Sequence, residues 1–315
     1  MLKRQRQSMK TLIVILGPTG VGKTETSLRV AEYFHIPIIN ADSRQIYRGI
    51  PIGTATPTQE QQQQAKHYMV EKLQIGDYYN ASMFENDVID LLEELFRSSD
   101  LALMAGGSMM YIDAVCNGLG NLPVVPDEIR ETMKKRLNEE GLDSLCEELR
   151  RLDEDYYAIV DKHNYRRVVH ALEIIHTTGQ TFTSLRTGEI KQRPFNILKI
   201  GLTRPREQLY ERINKRVDEM MEQGLLEEAR SMYEHRSFNA LNTVGYKELF
   251  AYFDGIWTLE EAIERIKGNT RRYCRKQLTW FQRDKDIRWI DLSQTSTDEV
   301  VQMIIQQVLP KADQP

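Results

Sequence analysis

The stretch LIVILGPTGVGKTETS, Leu12 to Ser27, constrains this chain more than any other. Its five leading apolar residues read as a buried strand, and the run stops at a glycine. Gly17-Pro18-Thr19-Gly20-Val21-Gly22-Lys23-Thr24 then fits the pattern GxxxxGK[ST]. Glycines let the backbone turn so that successive N–H groups point inward, and the helix-forming segment that follows adds its positive end. Lys23 offers a point charge to terminal phosphates, and Thr24 offers a hydroxyl to Mg²⁺. Such a loop binds a polyphosphate, but its spacing does not say which one.

Composition narrows the setting. The chain has 315 residues, 41% hydrophobic and 28% charged, enough for one large domain or two smaller ones. A formal net charge of −4 means that any nucleic-acid surface must be a local concentration of Lys and Arg. Cys116, Cys146 and Cys274 form no CxxC pair, which points to reduced thiols in the cytoplasm and no structural zinc. No apolar run approaches a membrane span. The start, MLKRQRQSMKTLIVIL, superficially resembles a signal peptide. Its apolar stretch is short and runs straight into the glycine loop, so it reads as a first strand behind a flexible basic tail.

Five apolar runs read as strands: TLIVILG, PIINAD (37–42), LALMAGG (101–107), ILKIGLT (197–203) and IRWIDL (287–292). Helix-period segments between them predict an α/β fold, a parallel sheet flanked by helices. Between Gly107 and Ile197 no strand is convincing. Ile129, Met133 and Leu137 recur at helical spacing, Leu145 and Leu149 follow a break at Gly141, and Val168, Leu172 and Ile175 end at Gly179. The expected organisation is a core of 1–115 plus 196–315 with an all-helical subdomain, 116–195, inserted. In the last third, Leu209, Ile213 and Val217 form one stripe, and another runs from Leu259 through Ile263, Ile266, Tyr273 and Leu278 to Phe281. The glutamine run 61–64 reads as a solvated helix face.

The LALMAGG strand ends in Gly106-Gly107-Ser108, without the carboxylate that an NTP hydrolase commonly places there for its metal. The second strand closes on Asp42. Carboxyl ends of parallel strands line the ligand crevice, so Asp42 should face the same cleft as Lys23 and accept a proton from an attacking group. The competing reading of Asp42 is a turn or cap residue. Two enzyme classes fit this pattern. A small-molecule kinase would bind ATP in the loop, whereas a transferase would hold a diphosphate as leaving group. A regulatory RNA-binding protein is a third, non-enzymatic possibility.

NTRRYCRKQLTWFQR, 269 to 283, bears on that choice. Arg272, Lys276 and Arg283 fall near one helical face, with Arg271 and Arg275 beside them, and no acidic residue stands between Lys267 and Arg283. Trp280 can pack or stack. A row of cations suits a phosphate backbone. Asn164-Tyr165-Arg166-Arg167-Val168-Val169-His170 is a second basic cluster, inside the insertion.

In order, GPTGVGKT, ADSRQIYRGIPIGTATPT (41–58), AGGSMMYIDAV (105–115), NYRRVVHALEIIHTTG (164–179), TVGYKEL (243–249) and RRYCRKQLTWFQR (271–283) resemble the tRNA dimethylallyltransferases over about residues 11 to 292. The resemblance implies a P-loop NTPase-like core and transfer of the dimethylallyl group of dimethylallyl diphosphate to N6 of adenine 37 in tRNA. It also implies that residues 17 to 24 hold a diphosphate with Mg²⁺, rather than ATP. Asp42 would take the proton of the adenine amine, Ser108 would place a hydroxyl near it, and Arg216 would clamp the leaving diphosphate. Contacts to the tRNA anticodon stem-loop would come from Asp42, Ser43, Arg44, Gln45, Arg130, Arg166, Arg167 and His170. Thr243, Gly245, Tyr246, Lys247, Lys276, Trp280 and Arg283 would complete them. Ser108 stands where the family has Thr, His170 and Lys276 where Arg is common, and Glu71 where Asp is usual; Glu71 has no assigned role. The zinc finger of eukaryotic members is absent. The expected setting is a cytoplasmic enzyme without membrane contact, a monomer by default, in which the target base flips out of its stack.

Overall fold

The computed structural model describes residues 10–119, 122–186 and 190–308. The basic segment ahead of Met9 lies outside the described residues. The chain forms two compact units. The first comprises the described residues of Met1–Tyr79, Asp87–Ile112 and Arg193–Pro315, and the second comprises Asn80–Asn86 with Asp113–Gln192. The short segment Asn80–Asn86, which the sequence reading placed in the core, thus clusters with the second unit.

The first unit is built on a six-stranded, all-parallel sheet. Its strands are β1 (Thr11–Leu16), β2 (Ile38–Ala41), β3 (His67–Tyr68), β4 (Leu101–Gly106), β5 (Asn196–Thr203) and β6 (Arg288–Asp291). Their order is β3-β2-β4-β1-β5-β6. Leu12 to Leu16 are completely buried, because a parallel strand covered on both faces needs apolar residues at every position. All five expected strands are present. The two-residue β3 was not foreseen, since a pair of residues shows no periodicity.

β1 pairs with β4 on one side and β5 on the other, and β4 pairs in turn with β2. The carboxyl ends of β1, β2 and β4, which lead into Gly17, Asp42 and Gly107, therefore lie side by side. Close backbone approach makes two glycines necessary here. A Cβ at Gly17, whose φ is 148°, would sit 2.5 Å from the Leu202 carbonyl oxygen, and one at Gly106 would sit 2.1 Å from that of Ala41.

The helix Arg206–Glu222 buries Leu209, Ile213 and Val217 as expected. The helix Leu259–Phe281 departs from its expected stripe: it buries Ala262, Ile266, Cys274, Gln277 and Phe281, while Tyr273 stays 37% exposed. Gln59–Gln64 is a short helix with no buried residue, capped by a reciprocal Thr58–Gln61 pair.

The second unit has a core of its own, including Met133, Leu145, Leu149, Val168, Leu172 and Ile175, with Ile129 and Leu137 packed against it. The helix Asp127–Leu152 is interrupted at Gly141, where φ is 80° and ψ is 168°. The helix Tyr165–Thr178 ends at Gly179 in the left-handed conformation. No described helix is long and apolar enough to cross a membrane.

The backbone clash at Gly106 predicts that Gly106→Ala destabilises the protein by more than about 2 kcal/mol in urea unfolding. Gly268→Ala is the control. Gly268 lies in the middle of a helix, where a Cβ would meet nothing closer than 3.8 Å, so the change should stabilise by ~0.5–1 kcal/mol.

Candidate active site

The glycine loop is held in shape by side chains from three places. Lys23 Nζ donates to the Gly17 and Pro18 carbonyl oxygens at 3.0 and 2.8 Å. Arg212 Nε donates to the Gly20 oxygen at 2.7 Å and Arg204 Nε to the Val21 oxygen at 3.0 Å. Gln277 Oε1 accepts from the Thr19 N–H at 2.9 Å, and its Nε2 donates to the Gly107 carbonyl at 2.8 Å. Gly20 and Gly22 take positive φ, at 81° and 118°, and the helix Lys23–Phe34 starts immediately after them. Loop amides and a helix start in this arrangement suit an anion.

The charges around the loop favour the same ligand. Burial and the neighbouring Arg216 guanidinium push the Lys23 ammonium down to about 8, against a partial offset from Asp42. Burial also lowers the Arg216 pKa, opposed by Asp42 and Glu219. Two cations thus stand near each other with Asp42 as the carboxylate they share, so an anionic ligand would relieve their repulsion.

Asp42 follows β2 directly. Its Oδ1 accepts from the Arg44 N–H at 2.8 Å and the Gln45 N–H at 3.4 Å, so it is a turn residue, as the competing reading had it. No described donor is bonded to Oδ2. Ser108, 6% exposed, starts the helix Met109–Asn117, and its Oγ accepts from the Ser43 N–H at 2.8 Å. Tyr273 bonds Ser108, and its hydroxyl is pushed up by burial and by the Asp42 charge. Thr24 is exposed at the helix start. Among the described residues no three His, Cys, Asp or Glu side chains cluster as metal ligands. That donor set fits Mg²⁺ held by Thr24 and chiefly by substrate phosphate oxygens, the common arrangement for this ion.

The remaining expected residues divide by accessibility. Lys276, Arg272 and Arg283 are exposed. Arg272 bonds the Asn269 carboxamide, Arg275 the Tyr210 hydroxyl and Arg271 the Asn214 carboxamide. Arg283 lies over the Trp280 ring. None of these five cations forms an ion pair with a described residue. The run holds no acid of its own, but Lys267 at its start finds partners outside it, Asp218 at 2.8 Å and Glu264. Arg44 donates to the Asn239 and Ala240 carbonyls. Gln45 is occupied within its own loop by Asn40, Thr54 and Ala55. Tyr246 is fully buried, and its hydroxyl bonds Glu228 at 2.6 Å, which places its side chain in the core. Lys247 is exposed, Thr243 is half-buried and Gly245 precedes the helix Tyr246–Phe253. In the second unit Arg166 and Arg167 are exposed, His170 faces Glu173 at 3.5 Å, and Arg130 pairs with Asp127.

Sequence reasoning missed Gln277, Arg204, Arg212 as a loop anchor, and Tyr273 as a neighbour of Asp42 and Ser108. A polar residue on an otherwise buried stripe, three after Cys274 and four before Phe281, was the available signal for Gln277.

The IPP transferase family model matches residues 45–284. The tRNA dimethylallyltransferase 1 of Bacteroides fragilis is 59% identical over 280 residues, covering 89% of this chain and 93% of that one. The chain belongs to the IPP transferase family. Another member, tRNA dimethylallyltransferase 1 of Phocaeicola vulgatus, is 58% identical over 93% of this chain and 97% of its own. Among solved structures, the tRNA isopentenylpyrophosphate transferase of Bacillus halodurans superposes with a TM-score of 0.70 at 34% identity, over 95% of this chain and 97% of that one. A eukaryotic dimethylallyltransferase acting on tRNA gives a TM-score of 0.80 at 26% identity, over 97% and 82%. The P-loop-like parallel sheet is therefore shared across this family. The kinase alternative is not favoured.

The lowered Lys23 pKa carries a pH prediction. The ammonium form binds the anion, so pyrophosphate affinity should be full below pH 8 and fall as pH rises above 8. Titration calorimetry compared with Lys23→Met removes the ligand's own ionisation from the result. A wild-type to variant affinity ratio that stays flat from pH 7 to 9.5 would contradict this assignment.

Proposed function

We propose that this protein transfers the dimethylallyl group of dimethylallyl diphosphate to N6 of adenine 37 in tRNA and releases diphosphate. The observation that carries this reading is the grouping of Asp42 with Lys23 and Arg216 at the carboxyl edge of the sheet. The names of the relatives supply the substrate class.

In this reading the loop amides, Lys23 and Arg216 bind the diphosphate and take up the charge that grows on it as its bond to the allylic carbon breaks. The exocyclic amine of adenine is a weak nucleophile, its lone pair shared with the ring. Asp42 orients the amine and accepts its proton as nitrogen bonds the allylic carbon. Its turn bonds to Arg44 and Gln45 hold the carboxylate in place and leave Oδ2 for that work. Ser108 and Tyr273 place hydroxyls beside it. Thr24 would hold Mg²⁺ together with the phosphate oxygens, and the ion when bound would add to the neutralisation of the leaving group.

The flipped base reaches these groups while the anticodon stem-loop is held by the exposed cations of the helix Leu259–Phe281 and by Lys247. Arg166, Arg167, His170 and Arg130 of the second unit add further tRNA contacts. The reaction belongs in the cytoplasm, where unmodified tRNA is available.

The deciding assay incubates the protein with Mg²⁺, labelled dimethylallyl diphosphate and unmodified tRNA. Label should enter the RNA; ATP-dependent phosphorylation of a small molecule in its place would overturn the reading. Asp42→Ala should bind tRNA normally and lose turnover by about 10²–10⁴-fold, measured in single-turnover reactions. Lys276→Ala should weaken RNA binding and lower the salt slope of log Kd by about one, leaving pyrophosphate affinity unchanged. An unchanged salt slope would remove that contact.

A further inference from the structure

Gln277 is 2% exposed, although it stands next to exposed Lys276 on the helix Leu259–Phe281. Its carboxamide bridges two elements that the sheet places side by side. Oε1 takes the Thr19 N–H of the glycine loop, and Nε2 donates to the Gly107 carbonyl at the end of β4. The task calls for one planar head with both an acceptor and a donor, which a carboxamide has and a carboxylate or an aliphatic chain lacks. The approach is tight. A Cβ at Gly107 would come within 2.4 Å of Nε2, so the glycine is what admits the amide.

We propose that Gln277 is a positioning residue for the group transfer: it sets the separation between the loop that holds the diphosphate and the strand end that presents Ser108. The assignment rests on the prenyl-transfer reading above. From Gln277 the frame continues through Gly107 to Ser108, whose hydroxyl takes the Ser43 N–H beside Asp42. The leaving group thus sits on one side of the bridge and the groups that handle the amine on the other. In-line transfer needs the reacting atoms about 3–3.5 Å apart, and a shift of roughly 1 Å can cost about 10²-fold in rate. Gln277 touches neither substrate; it acts through the frame.

Gln277→Met keeps the side chain's length and bulk while removing both bonds. At saturation with both substrates its kcat should fall about tenfold or more. Its KM for tRNA should stay within about threefold of the parent, because Lys276 is untouched. A merely structural role would lower the thermal midpoint without this split between kcat and KM. If the Met variant does not fold, Gln277→Glu takes its place. It still accepts from Thr19 but cannot donate to Gly107, and the same loss of kcat with unchanged tRNA KM is expected. A folded variant with kcat within about twofold of the parent overturns the assignment, as does a loss confined to the tRNA KM. A parent that transfers no label overturns the prenyl-transfer reading and this assignment together, and that failure is recognised by the parent's own inactivity.

Discussion

Two cations, Lys23 and Arg216, are drawn out of water beside each other with Asp42 as the carboxylate between them. Burial lowers the pKa of both, and their mutual repulsion adds to the cost for Lys23. Carbonyl oxygens at Gly17, Pro18, Gly20 and Val21 each receive a bond from a Lys or Arg side chain, and Thr19 donates to Gln277. The loop is therefore shaped before any ligand arrives, and what it lacks electrically is negative charge. In the proposed transfer a diphosphate supplies that charge and carries it away as the leaving group.

The helix Leu259–Phe281 connects this pocket to the outside. Its exposed face carries Arg272 and Lys276, and Arg283 follows just past its end, all cations without an ion-pair partner among the described residues; its buried face carries Cys274 and Gln277 beneath the glycine loop. Tyr273 stands at the edge between the two, bonded to Ser108 and near the Asp42 charge. In the proposed function this one helix offers its exposed cations to the RNA and forms part of the wall of the reaction site. This accounts for a stripe that is polar where an ordinary amphipathic helix would be apolar.

Much of this was legible. The strand–glycine loop–helix order of residues 11 to 34 announces itself because the loop needs glycines at fixed steps and the buried parallel strand needs an unbroken apolar run. Asp42 was legible as a site residue because its position at the end of β2 follows from the fold class. Its turn bonds were raised as a competing reading, and the structure shows those bonds on Oδ1 alone. Tyr246 and Gln45 are less simple, for a different reason. A polar-tipped residue within a recognisable motif looks like a ligand contact, and only packing reveals that the Tyr246 hydroxyl is spent on Glu228 and the Gln45 amide on its own loop.

By itself, the sequence determined the parallel α/β core, the phosphate loop, the helical character of the insertion and the membership of Lys23, Asp42 and Ser108 in one crevice. These are local or period-based properties, readable wherever backbone geometry restricts residue choice. Tertiary structure alone decided that Gln277, Arg204 and Arg212 would brace the loop, that Tyr273 would leave the helix's core stripe for the site, and that Lys267 would be neutralised by Asp218. Each of those contacts joins elements far apart in the chain. Their partners are set by how helices register against the sheet, and no spacing in the sequence encodes that register.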